Sequence, residues 1–261
     1  MTPWKLARID EHHWRGAVGS DWFQGRGLFG GLLAAASLEA MGALIGDPAR
    51  EPRSLTIHFM NPGPDQELRL EAEVVRAGSR VSHAVARVSA EGRPVTMASA
   101  SFGRDRTATV RYDDARMPPA PAFEDCPRFK PAPGVPNFVR HFDMRLAYGE
   151  RPFSSGKQPE IGGWVRLAEP APIDAPVAAM LLDVPPPAYA VLLAKPEPMA
   201  SVEYTVRFFQ RLPRADLAPE APLFIHLRSR WADRGYAEEL RELYTASGLL
   251  LAECHQLFAI L

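Results

Sequence analysis

The chain has 261 residues, enough to bury one large core or two smaller ones. With 46% hydrophobic and 23% charged residues it has the make-up of a globular protein rather than a disordered chain or a bundle of membrane spans. A net charge of −1 denies it the basic footprint that nucleic acids and anionic membranes select, so neither is expected as a partner and small ligands are favoured.

The first ten residues lack the apolar run of a secretory signal. The only cysteines, Cys126 and Cys254, have no CxxC spacing and no His/Cys cluster beside them, so no zinc site or disulfide framework is expected. A reducing cytoplasm fits both observations, and no metal or redox cofactor is indicated.

In chain order, a strand is expected near residues 14–18, and a loop over 21–27 leads into the longest apolar run of the chain, residues 28–45. That run reads as one helix. Ala, Leu and Met are good helix formers, no proline interrupts them, and Gly46-Asp47-Pro48 supplies the stop. Its apolar residues go nearly all the way round, the pattern of a helix enclosed by other structure. It is about long enough to span a bilayer, but Glu39 near its middle and the many alanines argue for a protein core. Strands then follow over 54–60, 67–76, 80–88 and 94–102, each alternating apolar and polar residues and separated by Gly, Pro, Asn or Ser turns. One long helix followed by consecutive antiparallel strands is an α+β pattern in which a sheet can curl around the helix.

Residues 113–136 break the rhythm, being rich in Pro, Ala and Asp without apolar periodicity. They read as a linker, dividing the chain into an N-terminal domain (1–112) and a C-terminal one (137–261). The second half repeats the first. Strands over 138–147 and 163–167 precede an apolar helix over 174–182, with Asp174 as its N-cap, and further strands follow over 200–209, 223–231, 238–245 and 250–261. Gly92 to Gly248 and Phe102 to Phe258 share one offset of 156 residues, and Pro62 and Pro213 each close the strand after the helix. Order, element type and spacing agree with a duplicated domain rather than a solenoid.

Several stretches together resemble the acyl-CoA thioesterase II family: Phe29-Gly30-Gly31, the strand from Ser54 to Gly63, Arg76-Ala77-Gly78-Ser79, and Met97-Ala98-Ser99-Ala100-Ser101-Phe102. The resemblance covers most of the chain outside the linker and the first dozen residues. It implies a double hotdog, two antiparallel sheets each wrapped around a central helix, an acyl-CoA substrate, and a homo-oligomer. It also implies a catalytic aspartate, threonine and glutamine in the C-terminal half. Met180-Leu181-Leu182-Asp183-Val184 carries the aspartate, Ser201 stands at the threonine's place, and Gln256 in the last strand is in register with the glutamine. Serine keeps the hydroxyl but loses the methyl that restricts its rotamer. Pro185-Pro186-Pro187 directly after Asp183 is a second departure, bearing on the shape of the pocket.

These residue types suit thioester hydrolysis. A carboxylate can take a proton from water, a step worth about 10²–10⁴-fold, while a hydroxyl and a carboxamide can orient that water. The developing oxyanion suits backbone N–H groups at a helix N-terminus, though the sequence does not say which helix. By the 156-residue offset the counterpart of Gln256 is Ala100, so the first half lacks that part of the site. Glu39 is a second candidate base, and Arg207, Arg211 and Arg214 are candidates for the CoA phosphates. His12-His13 reads as solvated, and His83, His226 and His255 as strand residues, His255 facing away from Gln256. No Gly-x-Ser-x-Gly elbow marks a nucleophilic serine. The alternative to hydrolysis is a hotdog protein that binds an acyl thioester or similar apolar ligand without cleaving it; a hydratase is disfavoured because no Asp/His pair presents itself.

Overall fold

The computed structural model describes residues 6–131 and 134–261. Its elements in chain order are β1 (Ala7–Arg8), β2 (His13–Ala17), β3 (Phe23–Gln24), β4 (Gly27–Leu28), α1 (Gly30–Ile45), β5 (Glu51–Phe59), β6 (Glu67–Ala77), β7 (Val81–Ala90), β8 (Arg93–Gly103), β9 (Phe142–Gly149), β10 (Glu160–Leu167), α2 (Ala175–Leu182), β11 (Met199–Phe208), β12 (Leu223–Asp233), β13 (Tyr236–Thr245) and β14 (Leu250–Ile260). Apart from the small β3-β4 hairpin, the strands form one antiparallel sheet of twelve, in the order β1-β2-β6-β7-β8-β5-β11-β14-β13-β12-β10-β9.

The order is mirrored about the midpoint. Each half has its helix, then a strand that pairs with the last strand of that half, and the two equivalent strands, β5 and β11, pair with each other where Thr205 faces Thr56. α1 lies across β5 to β8, whose inward residues include Leu55, Ile57, Leu70, Ala72, Ala84, Ala86, Ala98 and Ala100, all buried. The many alanines let the helix come close to the sheet, and little of α1 is left for solvent. α2 packs against β13, β14 and α1. Gly31 makes the helix contact possible, because a Cβ there would lie 2.8 Å from the Met180 carbonyl oxygen. No helix among the described residues is long and apolar enough to cross a membrane.

The expected strand over 138–147 is corrected in its first part. Residues Asn137–His141 form a 3-10 turn entered at Pro136, and the strand begins at Phe142. Phe138 and Val139 are both buried although adjacent, which a strand with alternating faces does not allow, and the Phe138 ring stacks on Phe29 at 4.2 Å. Residues 113–128 lie against the C-terminal sheet face opposite α2. There Phe123 and Cys126 pack on Trp164, Phe224 and Tyr244, which are cross-strand neighbours, and the Trp164 Nε1–H donates to the Pro121 carbonyl at 3.0 Å.

Candidate active site

Asp183 follows directly on α2, and its carboxylate reaches the beginning of α1. Phe29 at the N-cap of α1 makes no side-chain cap, so the first N–H groups of that helix lack a partner in their own segment. The Gly31 N–H donates to Asp183 instead, and a Cβ on Gly30 would lie only 2.9 Å from Asp183 Oδ2. One residue thus ends the short helix and receives the long one. The negative carboxylate at the positive end of α1 complements the helix dipole.

The last strand completes the group. The Gln256 Nε2–H donates to Asp183 Oδ1 at 3.1 Å and to Ser201 Oγ at 2.8 Å. Ser201 reaches this side of the sheet only through a bulge. Between Ser201 and Glu203 the pairing of β11 with β14 shifts by one residue, so that Ser201 opposes Phe258 and Tyr204 opposes Gln256. Without the extra residue, the alternation of a strand would turn Ser201 away from the buried Tyr204 and Val206. Asp183 is 5% and Gln256 3% exposed, whereas Ser201, Gly30 and Phe59 are half-buried, so the approach to the acid runs past these three. Gln256 Oε1 is buried with no partner in the structure.

Behind the acid lies a pair of charges that sequence reasoning missed. Arg241 and Glu239 on β13 are 1% and 0% exposed. Arg241 Nε–H donates to Glu239 Oε1 at 2.6 Å and its Nη1–H to the Leu182 carbonyl at 2.7 Å, leaving Nη1 3.8 Å from Asp183 Oδ1. Glu239 also accepts the Ala188 N–H, just past Pro185-Pro186-Pro187, and the Ser229 hydroxyl at 3.4 Å. Burial raises the Asp183 carboxyl above the ordinary carboxylate range, opposed by Arg241, the Gln256 amide and the Gly31 N–H. A faint signal existed: Glu239 and Arg241 sit two apart on a strand, on the same face as Ala237 and Leu243. The other face, with Glu238, Leu240 and Glu242, is just as mixed, so the sequence does not say which one turns inward.

Other candidates lie elsewhere. Glu39 is nine residues along α1 from Gly30, about 13 Å by helix rise, near Asp174 and Arg50 at the opposite end of the helix pair. Asp174 caps α2 as expected, accepting the Val177 N–H at 2.9 Å. Arg207, Arg211 and Arg214 are each paired with a carboxylate, of Glu253, Glu51 and Asp216. His255 is exposed, on the other face from Gln256. His226 bridges Glu242 and Glu160 at 2.9 and 3.1 Å, on the face of β12 and β13 away from Arg241. No cluster that could hold a metal ion occurs among the described residues.

Comparison with known proteins agrees with this architecture. The chain matches, over its whole length and 97% of the other, a protein of unknown function with a hot dog fold from Alicyclobacillus acidocaldarius, at 28% identity and a TM-score of 0.89. It also superposes on the tesB protein of Mycobacterium avium subspecies paratuberculosis (21% identity, 99% and 97% of the two chains, TM-score 0.80). An acyl-CoA thioesterase II from Mycobacterium marinum is similar at 20% identity, over 100% and 97%, with a TM-score of 0.78. No curated protein sequence gives a significant match. The class is therefore that of hot dog proteins of mixed α+β structure. The acyl-CoA thioesterase N-terminal domain model matches residues 18–103 and the C-terminal domain model residues 117–260, and the chain belongs to the acyl-CoA thioesterase family, whose members hydrolyse thioesters.

Proposed function

We propose that this protein hydrolyses an acyl-CoA thioester to the free acid and CoA by direct attack of water, with Asp183 as general base and Ser201 and Gln256 positioning the water. The observation that carries this reading is the single hydrogen-bonded group of a buried carboxylate, a carboxamide and a hydroxyl at the N-terminus of α1. Asp183 takes a proton from water as its oxygen bonds to the thioester carbon. The Ser201 hydroxyl accepts from Gln256 and so keeps its own hydrogen free to donate. The Gly30 N–H, which as the first residue of α1 has no acceptor within the helix, is the donor we assign to the carbonyl oxygen as it becomes negative. Collapse of the tetrahedral intermediate breaks the carbon–sulfur bond, and the proton held by Asp183 goes to the departing thiolate. The raised carboxyl serves this role, since a base is more effective as its pKa nears the working pH.

We also infer that the two halves are two hotdog units, 1–112 and 137–261, joined by 113–136. The mirrored sheet order of the two halves and their two helices support this.

The test is thiol release from acetyl-, octanoyl- and palmitoyl-CoA by the wild type and by Asp183→Asn. The wild type is expected to turn over at least one of them. The variant should lose about 10²-fold or more in kcat while its thermal midpoint at neutral pH stays level or rises, because a carboxylate raised by burial carries a cost that asparagine does not. Binding of acyl-CoA without hydrolysis by the wild type, or equal turnover by the variant, would refute the assignment.

A further inference from the structure

Two buried acids compete for one buried cation beside the site, and they do so unequally. Glu239 receives the Arg241 Nε–H at 2.6 Å, the Ala188 N–H and the Ser229 hydroxyl, whereas Asp183 stands 3.8 Å from the nearest guanidinium nitrogen and accepts from Gln256 and Gly31. Arg241 in turn spends its close Nη1 contact on the carbonyl of Leu182, one of the unpaired acceptors at the end of α2 and the residue bonded to Asp183. Cys254 and Tyr204 also face this group from β14 and β11; Tyr204 donates its hydroxyl to the Ala179 carbonyl on α2. Among the described residues, Arg241 is the one cation close to the acid.

We propose that Glu239 and Arg241 are positioning residues for hydrolysis: Glu239 takes the direct ion pair, so that the guanidinium anchors the end of α2 and neutralises Asp183 only loosely. The arrangement keeps the acid both in place and basic. A guanidinium in direct contact with Asp183 would hold the charge too firmly, and a site without one would leave the buried carboxyl protonated. The Ala188 contact adds a second function for Glu239. It fixes the backbone after the three prolines, so the unusual run beyond the acid is tied to the same pair of charges.

This inference rests on the reading of Asp183 as base, and the two can fail separately. The experiment measures kcat and KM against pH, with the fastest of acetyl-, octanoyl- and palmitoyl-CoA, for the wild type, Glu239→Gln, Arg241→Gln and the double variant, with thermal melts as the check on folding. Glu239→Gln leaves Arg241 with Asp183 as its partner, so no buried charge is stranded. Its acid limb is expected to move to lower pH and its plateau kcat to fall, with KM little changed because neither residue touches substrate. Arg241→Gln should move the acid limb up by about 1–3 pH units, the usual effect of losing an opposite charge at this range. That variant strands Glu239, and if it does not fold, the double variant, which removes both charges, is expected to fold with a limb between those of the single variants. Glu239→Gln and the double variant both turning over with the wild-type limb would overturn the inference and leave Asp183 as base. Full turnover by Asp183→Asn would remove the base reading and this inference with it.

Discussion

Gly30 is where a single methyl group separates fold from chemistry. Its missing side chain is required by the acid: a Cβ there would stand 2.9 Å from Asp183 Oδ2 and 3.0 Å from Phe59 Cζ. Gly30→Ala should therefore leave α1 intact, since alanine favours helix, while displacing the carboxylate and narrowing the approach past Phe59. We expect kcat to fall about 10²-fold, the scale of a misplacement near 1 Å, with a thermal midpoint close to that of the wild type; full activity in this variant would show that the first turn of α1 does not bound the site. At the same scale, Asp183, Ser201 and Gln256 were each legible from the residues their segments resemble, and the structure brings all three together. Glu239 and Arg241 were not legible, because both faces of their strand mix charged and apolar residues and only burial distinguishes them.

The elements carry the next layer of the argument. α1 was readable from its apolar circumference and its Gly46 stop, and it ends at that glycine in the left-handed conformation, φ 61°. Its contact with α2 was not readable, because the two glycines that open it have no periodic meaning in the sequence. Gly31→Ala tests that contact. Its Cβ would meet the Met180 carbonyl at 2.8 Å and the Phe29 ring at 2.6 Å, and a backbone oxygen cannot rotate away as a side chain can. The better helix propensity of alanine, worth about 1 kcal/mol, is opposed by overpacking of about 1–3 kcal/mol. We expect a net loss of stability in denaturant melts, and because Met180 lies three residues before Asp183, on the short helix that Asp183 ends, a loss of turnover with it. A stabilised variant would show that the helices separate freely. The bulge in β11 makes the same point for Ser201, whose inward direction comes from the extra residue and not from the alternation of its neighbours.

In the whole molecule, the two halves depend on each other. Phe29 stacks on Phe138, β5 pairs with β11, and the N-terminus of α1 is capped by a residue of the C-terminal half. The proposed catalytic group is thus divided, with three side chains from one half and the helix terminus from the other. A fragment of residues 1–112 alone would expose the helix face that packs on α2 and leave β5 as an open edge. We expect such a fragment to show no cooperative thermal transition, and a sharp one would refute the claim that the halves stabilise each other. Residues 113–128 contribute at this scale as well: without any repeat of their own, they place Phe123 and Cys126 over the outer face of Trp164, Phe224 and Tyr244. Their lack of periodicity is what a covering segment shows when its contacts are set by the surface beneath it.

What the sequence determined by itself is the repeated order of helix and strands, because apolar periodicity and turn residues act locally and the same pattern recurs after a constant offset. It also determined the difference between the halves, since Ala100, opposite Leu55, has no amide to set against that of Gln256, opposite Tyr204. Only the tertiary structure decided which helix end meets the acid, which face of β13 turns inward, and that Ser201 and Gln256 share a hydrogen bond. Those relations join residues far apart in the chain, through close backbone approach, a one-residue shift of register and the unequal sharing of one buried cation, and none of these leaves a period in the sequence.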